Sequence, residues 1–367
     1  MLLLFGHLLD AGDEVVLSDP YYACYPNFIR YAEGVPVTVG ITERDGFQLR
    51  AEALAERVGP RTKAIMINSP GNPTGTVLAP DGLRAIAALA ERGGPMIVSD
   101  EIYHGLSYEG RDRTILEFTE RAFVLNGFSK AYAMTGWRLG YLIAPPDRIR
   151  ALQTLFGNFF ISTNEFVQWA GVAALREAGE DSRNFRAIFD ERRRAMIAGL
   201  RAVGFGVPHE PTGAFYVLAN ARHFAADSRQ LALELLERCH VVVTPGIAFG
   251  ANAEGYLRFS YAASLERIQE GLRRLGRFLA GPGDGATRVP SLRGAVASRG
   301  TADRRLRPVH GLPPPRSVLS RLDGAGAEAA RDRALHARSG RAGGPDGRGL
   351  EGGGGARPCL WRAQDEL

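Results

Sequence analysis

Short apolar runs rich in β-branched residues alternate with segments of helical period through the first half of this chain. The runs occupy 14–17, 35–39, 63–68, 96–100, 122–126 and 140–144, and 80–92 carries apolar residues at helical spacing between two of them. Apolar runs this short read as strands covered on both faces, and strands alternating with helices pair in parallel. The pattern therefore predicts an α/β fold with a mostly parallel sheet sandwiched by helices. Polar residues cluster just past the C-terminal ends of several runs, which is the edge where ligands bind in open α/β sheets.

The second half changes pattern. Residues 147–201 read as helical, ending at Gly204, and a smaller α+β unit follows. It holds a strand at 214–218, a helix near 228–238, and strands at 241–244 and 256–261. A last amphipathic helix at 265–279 has apolar residues at 265, 268, 272, 275, 278 and 279. The expected organisation is a large domain over 1–180, a small C-terminal domain over 181–281, and a tail over 282–367. The tail holds 16 Gly and 15 Arg against 9 acidic residues, with no Lys and no sustained period. That composition predicts disorder. It reads as an out-of-frame translation of GC-rich DNA in preference to a nucleic-acid-binding segment, because Trp361 is its one aromatic residue. The formal charge of +5 resides in this tail, so the body is near neutral and no nucleic-acid partner is expected.

No apolar run approaches a membrane span. The opening 1–5 lacks the basic start of a secretion signal and is soon broken by His7, Asp10 and Asp13, so 2–13 reads as part of a helix. Cys24, Cys239 and Cys359 are scattered and odd in number, which predicts no disulfide framework, no zinc site and a cytoplasmic setting.

Three strand ends carry chemistry. The first is 68–75, Asn-Ser-Pro-Gly-Asn-Pro-Thr-Gly, a tight turn that fixes the direction of the Asn72 amide. An amide there can donate to a phenolate oxygen or bind a carboxylate, though the segment alone also reads as a plain turn. The second is 99–103, Ser-Asp-Glu-Ile-Tyr. A carboxylate ending an apolar strand is costly unless paired. Asp100 can hold a ring nitrogen protonated, with Tyr103 returning to the same ligand, or it can cap a helix. The third is 126–141, Asn-Gly-Phe-Ser-Lys-Ala-Tyr-Ala-Met-Thr-Gly-Trp-Arg-Leu-Gly-Tyr. Among 45 basic residues only Lys63 and Lys130 are lysines, and Lys130 lies here. A lysine amine can lose its proton and attack an aldehyde, which a guanidinium cannot. Arg138 supplies a two-pronged phosphate partner. An aldehyde-reactive amine, a pyridinium partner, a phenolate donor and a phosphate anchor together point to pyridoxal 5'-phosphate. Lys63 reads as a surface residue.

In this order the motifs resemble those of class I/II aminotransferases of pyridoxal-phosphate fold type I, the aspartate aminotransferase superfamily, over residues 1 to about 281. The resemblance implies that Asn72 and Tyr103 contact the cofactor's O3′, that Asp100 pairs with the pyridine nitrogen, and that Arg138 binds the phosphate. Lys130 forms the imine and moves the α-proton. Tyr22, in the 19–25 segment Asp-Pro-Tyr-Tyr-Ala-Cys-Tyr, matches the aromatic that stacks on the ring. Arg258, in the 256–262 segment Tyr-Leu-Arg-Phe-Ser-Tyr-Ala, matches the arginine that grips the substrate carboxylate, beside Asn72. The 211–216 segment matches a small-domain strand covering the site. The implied reaction moves an amino group between an amino acid and a 2-oxo acid, in a homodimer.

Two departures accompany the match. Many relatives use a Ser three residues before the lysine on the phosphate, and here that position is Gly127; the role of Ser129 stays open. Relatives also place a Gly/Ser-rich loop and a helix N-terminus upstream of the segment resembling 2–13. The expectation is therefore an N-terminally truncated chain that folds poorly and binds the cofactor weakly. The alternatives are a catalytically impaired remnant, or a related C–S lyase using the same cofactor; the 72–75 and 100–103 motifs favour transamination.

Overall fold

The computed structural model describes residues 1–91 and 93–280. The expectations for the 282–367 tail lie outside the described residues. Six strands form the main sheet: β1 (Glu14–Asp19), β2 (Val35–Gly40), β3 (Thr62–Asn68), β4 (Met96–Asp100), β5 (Ala122–Gly127) and β6 (Gly140–Ile143). Their order is β2-β1-β3-β4-β5-β6, parallel throughout except for β6, which runs antiparallel to β5. The alternation of side chains along each strand feeds two cores at once. Val16, Ile65, Ile67, Ile97 and Val124 enter one cluster, while Val15, Leu17, Ala64, Met66, Val98 and Phe123 enter the other.

Helices cover both faces. α1 (Leu2–Leu8) and α2 (Tyr25–Tyr31) pack Leu4, Phe5, Tyr25 and Ile29 on one side. α3 (Ala51–Ala55) and α4 (Pro80–Glu91) pack Leu54, Leu83, Ile86, Ala87 and Ala90 on the other. Pro80 opens α4, where its missing N–H would have had no intrahelical partner. After β1 the chain goes out to β2 and returns past β1 to β3. That reversal opens a crevice at the C-terminal ends of β1 and β3.

Three helices follow: α5 (Pro146–Phe160), α6 (Glu165–Glu177) and α7 (Gly179–Ala202). The expected helical stretch 147–201 is thus interrupted, with Ile161 in a left-handed conformation at φ 63. On α5 only Leu152 is buried, and Phe159, Phe160, Ile161, Phe166 and Trp169 are exposed. A second sheet, order β7-β9-β8, is antiparallel: β7 (Tyr216–Asn220), β8 (Thr244–Pro245) and β9 (Tyr256–Ser260). α8 (Ser228–Cys239) is capped by Asp227, whose side chain accepts from the Gln230 amide at 2.9 Å. α9 (Leu265–Ala280) lays Ile268, Leu272 and Leu275 against Met196, Ile197 and Leu200 of α7. At Gly199 a Cβ would stand 2.3 Å from Leu272, so the two helices meet this closely only because that residue is glycine.

The strand expected at 214–218 begins two residues later. Ala214 sits at φ 56, which no pleated strand accommodates. The strand expected at 241–244 shrinks to Thr244–Pro245 at the sheet edge.

Candidate active site

The C-terminal ends of the parallel strands face one crevice, and each delivers a polar group to it. β4 ends on Asp100. No helix follows, so the alternative reading of Asp100 as a helix cap is replaced by a turn in which its Oδ1 accepts from the Ile102 amide at 3.1 Å. Its Oδ2 accepts from the Tyr25 hydroxyl at 2.7 Å. Burial pushes the Asp100 carboxyl above its ordinary range, while these two donors pull it back. Both partners are neutral, and no described cation stands within ion-pair distance.

The turn carrying Tyr103 is held from below by Glu101. That buried carboxylate accepts from Ser99 Oγ at 2.9 Å, Thr114 Oγ1 at 3.1 Å and the Ile115 amide at 2.9 Å. Tyr103 is itself buried, with its hydroxyl 3.1 Å from that of Tyr216. Burial first, and the neighbouring Tyr216, push its pKa well above the ordinary value, so it remains a phenol able to donate.

Lys130 follows β5. Its Nζ lies 5.9 Å from the centre of the Tyr103 ring and 5.7 Å from that of Phe215. Burial lowers the amine's pKa and Arg138 adds to this, against an opposing pull from Asp100. A lysine so placed is a better nucleophile and base at neutral pH than an exposed one. Lys63, by contrast, is exposed and faces Asp13 at 3.6 Å.

Gly127, the departure noted three residues before Lys130, has a local cause. It pairs with Gly140 across β5 and β6, and a Cβ there would meet the Leu139 carbonyl at 2.9 Å.

Asn72 and Arg258 come from opposite parts of the chain and meet directly. Arg258 Nη1 donates to Asn72 Oδ1 at 2.8 Å. A guanidinium has no acceptor, so the amide must turn its oxygen to it, and its two N–H donors are what Asn72 can offer a ligand. Arg258 Nη2 donates to Thr244 Oγ1 at 3.1 Å. The rings of Tyr216 and Phe249 lie 4.3 and 4.7 Å from its Cζ. Its Nε is buried without a partner, and burial lowers its pKa.

Tyr22 and Arg138 stand further out. Tyr22 is 37% exposed, with its ring edge-on to Tyr25 at 5.3 Å. Arg138 is exposed at φ 55 and donates from Nη1 to the Thr135 carbonyl at 2.9 Å.

Sequence reasoning missed Tyr25, Thr244 and Phe249 and left Tyr216 as part of a covering strand. Tyr25 had a visible signal, since it lies three residues beyond Tyr22 in the same aromatic cluster. Thr244 and Phe249 had none: Thr244 is brought to Arg258 by the pairing of β8 with β9, and Phe249 by the turn that follows β8.

These groups leave charges unmatched. Asp100 is a desolvated acid with no described cation at ion-pair distance, felt from further off by the N-terminal ammonium and by Lys130, and Arg258 is a largely buried cation with no acid at ion-pair distance among the described residues. Burying such charges costs several kcal/mol unless partners arrive. The complement is a ligand with a cationic ring nitrogen, an aldehyde near Lys130, and anionic groups for Arg258 and Arg138. Pyridoxal 5'-phosphate with an amino acid fits that donor set.

Comparisons with known proteins point the same way. The family described as aminotransferase class I and II matches residues 2–275. A (5-formylfuran-3-yl)methyl phosphate transaminase of Methanocaldococcus jannaschii is 41% identical over 283 residues, covering 76% of this chain and 72% of that protein. An aspartate/prephenate aminotransferase of Thermus thermophilus is 40% identical over 281 residues, covering 75% and 72%. The solved aspartate aminotransferase of Thermus thermophilus with maleate superposes at a TM-score of 0.72 and 40% identity, covering 76% of this chain and 73% of that one.

Proposed function

This chain belongs to the aminotransferase class I and II family, and from that premise we propose that the crevice around Lys130 is its transamination centre, with pyridoxal 5'-phosphate as resident cofactor. The observation that carries the reading is that Asp100 and Arg258, neither with an oppositely charged side chain at ion-pair distance among the described residues, both act on an amine whose pKa burial lowers. The cofactor, when bound, supplies an aldehyde for the amine and a protonated ring that takes up electrons from a broken Cα–H bond.

The protein's side chains do the rest. Asp100 places a negative charge where it keeps a ring nitrogen protonated, and Tyr25 holds that carboxylate in position. The N–H donors of Asn72 and the hydroxyl of Tyr103 hold a phenolate oxygen. Tyr22 covers the ring, and Arg138 anchors the phosphate. Arg258 grips the substrate carboxylate, with Asn72 on one flank. Lys130 Nζ takes the α-proton from the substrate and gives it back; its lowered pKa provides a larger free-base fraction than an ordinary lysine has. Phe215 and Tyr103 keep the amine partly dry.

The substrates are an amino acid and a 2-oxo acid. Relatives of nearly equal identity carry names for different substrates, so identity does not select the donor. The exposed apolar side chains of Phe159, Phe160, Ile161, Phe166 and Trp169 fit burial against a second copy. No helix among the described residues is long and apolar enough to cross a membrane.

The test is direct. Borohydride reduction of protein mixed with pyridoxal 5'-phosphate, followed by peptide mapping, is expected to find the label on Lys130. Label on Lys63 alone would overturn the site. Formation of a 2-oxo acid only when a 2-oxo acid acceptor is present separates transamination from elimination.

A further inference from the structure

Arg258 is braced on two sides, and one brace has no part in the chemistry proposed for the crevice. β8 is a two-residue edge strand, and its first residue, Thr244, stands directly opposite Arg258 in the β8–β9 register. Its Oγ1 accepts from Nη2 at 3.1 Å, while Asn72 Oδ1 accepts from Nη1 at 2.8 Å. A guanidinium presents five N–H donors. These bonds take one from each terminal nitrogen, and Nε is buried away from any partner. What remains for a ligand is the second N–H of Nη1 and of Nη2.

A carboxylate binds such a pair best when both donors lie in its plane. Asn72 alone would fix one end of the guanidinium and leave the other free to turn. The neighbouring rings of Tyr216 and Phe249 fix its depth but offer no directional bond in its plane. Thr244 supplies that second bond.

We infer that Thr244 is a positioning residue for the substrate carboxylate: its hydroxyl sets the plane of the Arg258 guanidinium so that both terminal nitrogens meet the carboxylate together. The inference rests on the reading of Arg258 as the carboxylate grip. It applies to the amino acid and to the 2-oxo acid alike, since both present a carboxylate to the same fork. Thr244 touches Arg258, not the reacting atoms.

The test compares Thr244→Val, Thr244→Ser and Arg258→Ala in the full chain loaded with pyridoxal 5'-phosphate. Valine keeps the shape and the strand preference but removes the acceptor; serine keeps the acceptor. Loss of one neutral brace is expected to raise KM for both substrates about threefold to tenfold in Thr244→Val, with kcat and its pH profile changed by less than about twofold. Thr244→Ser should restore KM to near the parent value. Arg258→Ala should raise KM further for both substrates. Unchanged or lowered KM in Thr244→Val, with Arg258→Ala impaired, overturns the role of Thr244 and leaves the grip intact. Equal impairment in the Val and Ser variants assigns the effect to packing and overturns it as well. Unchanged KM in Arg258→Ala overturns the grip itself, and this inference with it.

Discussion

The two sheets reach the crevice by different routes. The main sheet is parallel, and its contributions come from turns just beyond strand ends: Asn72 after β3, Asp100 at the end of β4, Lys130 after β5. The small sheet is antiparallel, and it contributes side chains from within its strands: Tyr216 at the start of β7, Thr244 on β8, Arg258 in the middle of β9. Turns at the edge of a parallel sheet are free to be rich in Gly, Pro and polar residues, so their chemistry is written locally. A strand residue looks like any other strand residue until its cross-strand neighbours are known. The large sheet also delivers the acid and the base, whereas the small sheet delivers the cation and the aromatic wall against which it lies. In the proposed mechanism Asp100 and Lys130 of the first set do the proton work, and Arg258 of the second, with Asn72 at its flank, holds the substrate.

Substitutions can break or sharpen that division. Lys130→Ala should abolish transamination, a loss on the order of a thousandfold or more in kcat. Retained turnover would remove the main sheet's claim to the chemistry. Asp100→Asn should lower kcat by an amount worth about 3 kcal/mol, since it removes charge aimed at the reacting ring.

The same Asp100→Asn variant carries a stability signature. The folded-state pKa of Asp100 is raised by burial, so the parent's stability contribution from this group is complete below the unfolded value of about 3.9 and is lost as pH rises through the folded value. Asparagine has no such loss. In the absence of cofactor, the Tm of the variant relative to the parent should therefore climb as pH rises from the ordinary carboxylate range toward neutrality. A difference independent of pH would mean that Asp100 is not held as a desolvated acid.

Arg258→Ala tests the other side. Losing a charged, desolvated pair costs roughly 2–5 kcal/mol, and the expected loss appears in KM with Lys130 labelling unchanged. A fall in kcat of the same size at unaltered KM would blur the division. The smallest expected effect is that of Tyr103→Phe, which removes one hydroxyl worth about 1 kcal/mol in kcat/KM.

Much of this architecture is legible in the order of residues alone. The six main strands lie where apolar runs placed them; in β1, β3, β4 and β5 residues buried on both faces leave an uninterrupted signal, while β2 and β6 keep apolar runs although much of their surface is exposed. α4 and α9 follow their apolar stripes. Asp100, Lys130 and Asn72 stood out because each lies in an unusual local context. Tyr25 shared the aromatic cluster of Tyr22, but nothing local says which carboxylate a tyrosine on a seven-residue helix will reach 75 residues away. The start of β7 was misplaced because left-handed backbone at Ala214 leaves no trace in an alanine. The break between α5 and α6 did leave a local signal, Ser162-Thr163-Asn164 ahead of Glu165, and Gly179 marks the next, but both were absorbed into one helical reading.

The hydrogen bond between Asn72 and Arg258 joins residues 186 positions apart. During synthesis, Asn72, Asp100 and Lys130 all leave the ribosome before the wall of Phe215 and Tyr216, and well before Arg258. Until those segments follow, Lys130 lacks the Phe215 side of its aromatic cover and the Arg258 charge that acts on it. The Arg258 side of the crevice is therefore completed last, by the final strand of the small sheet.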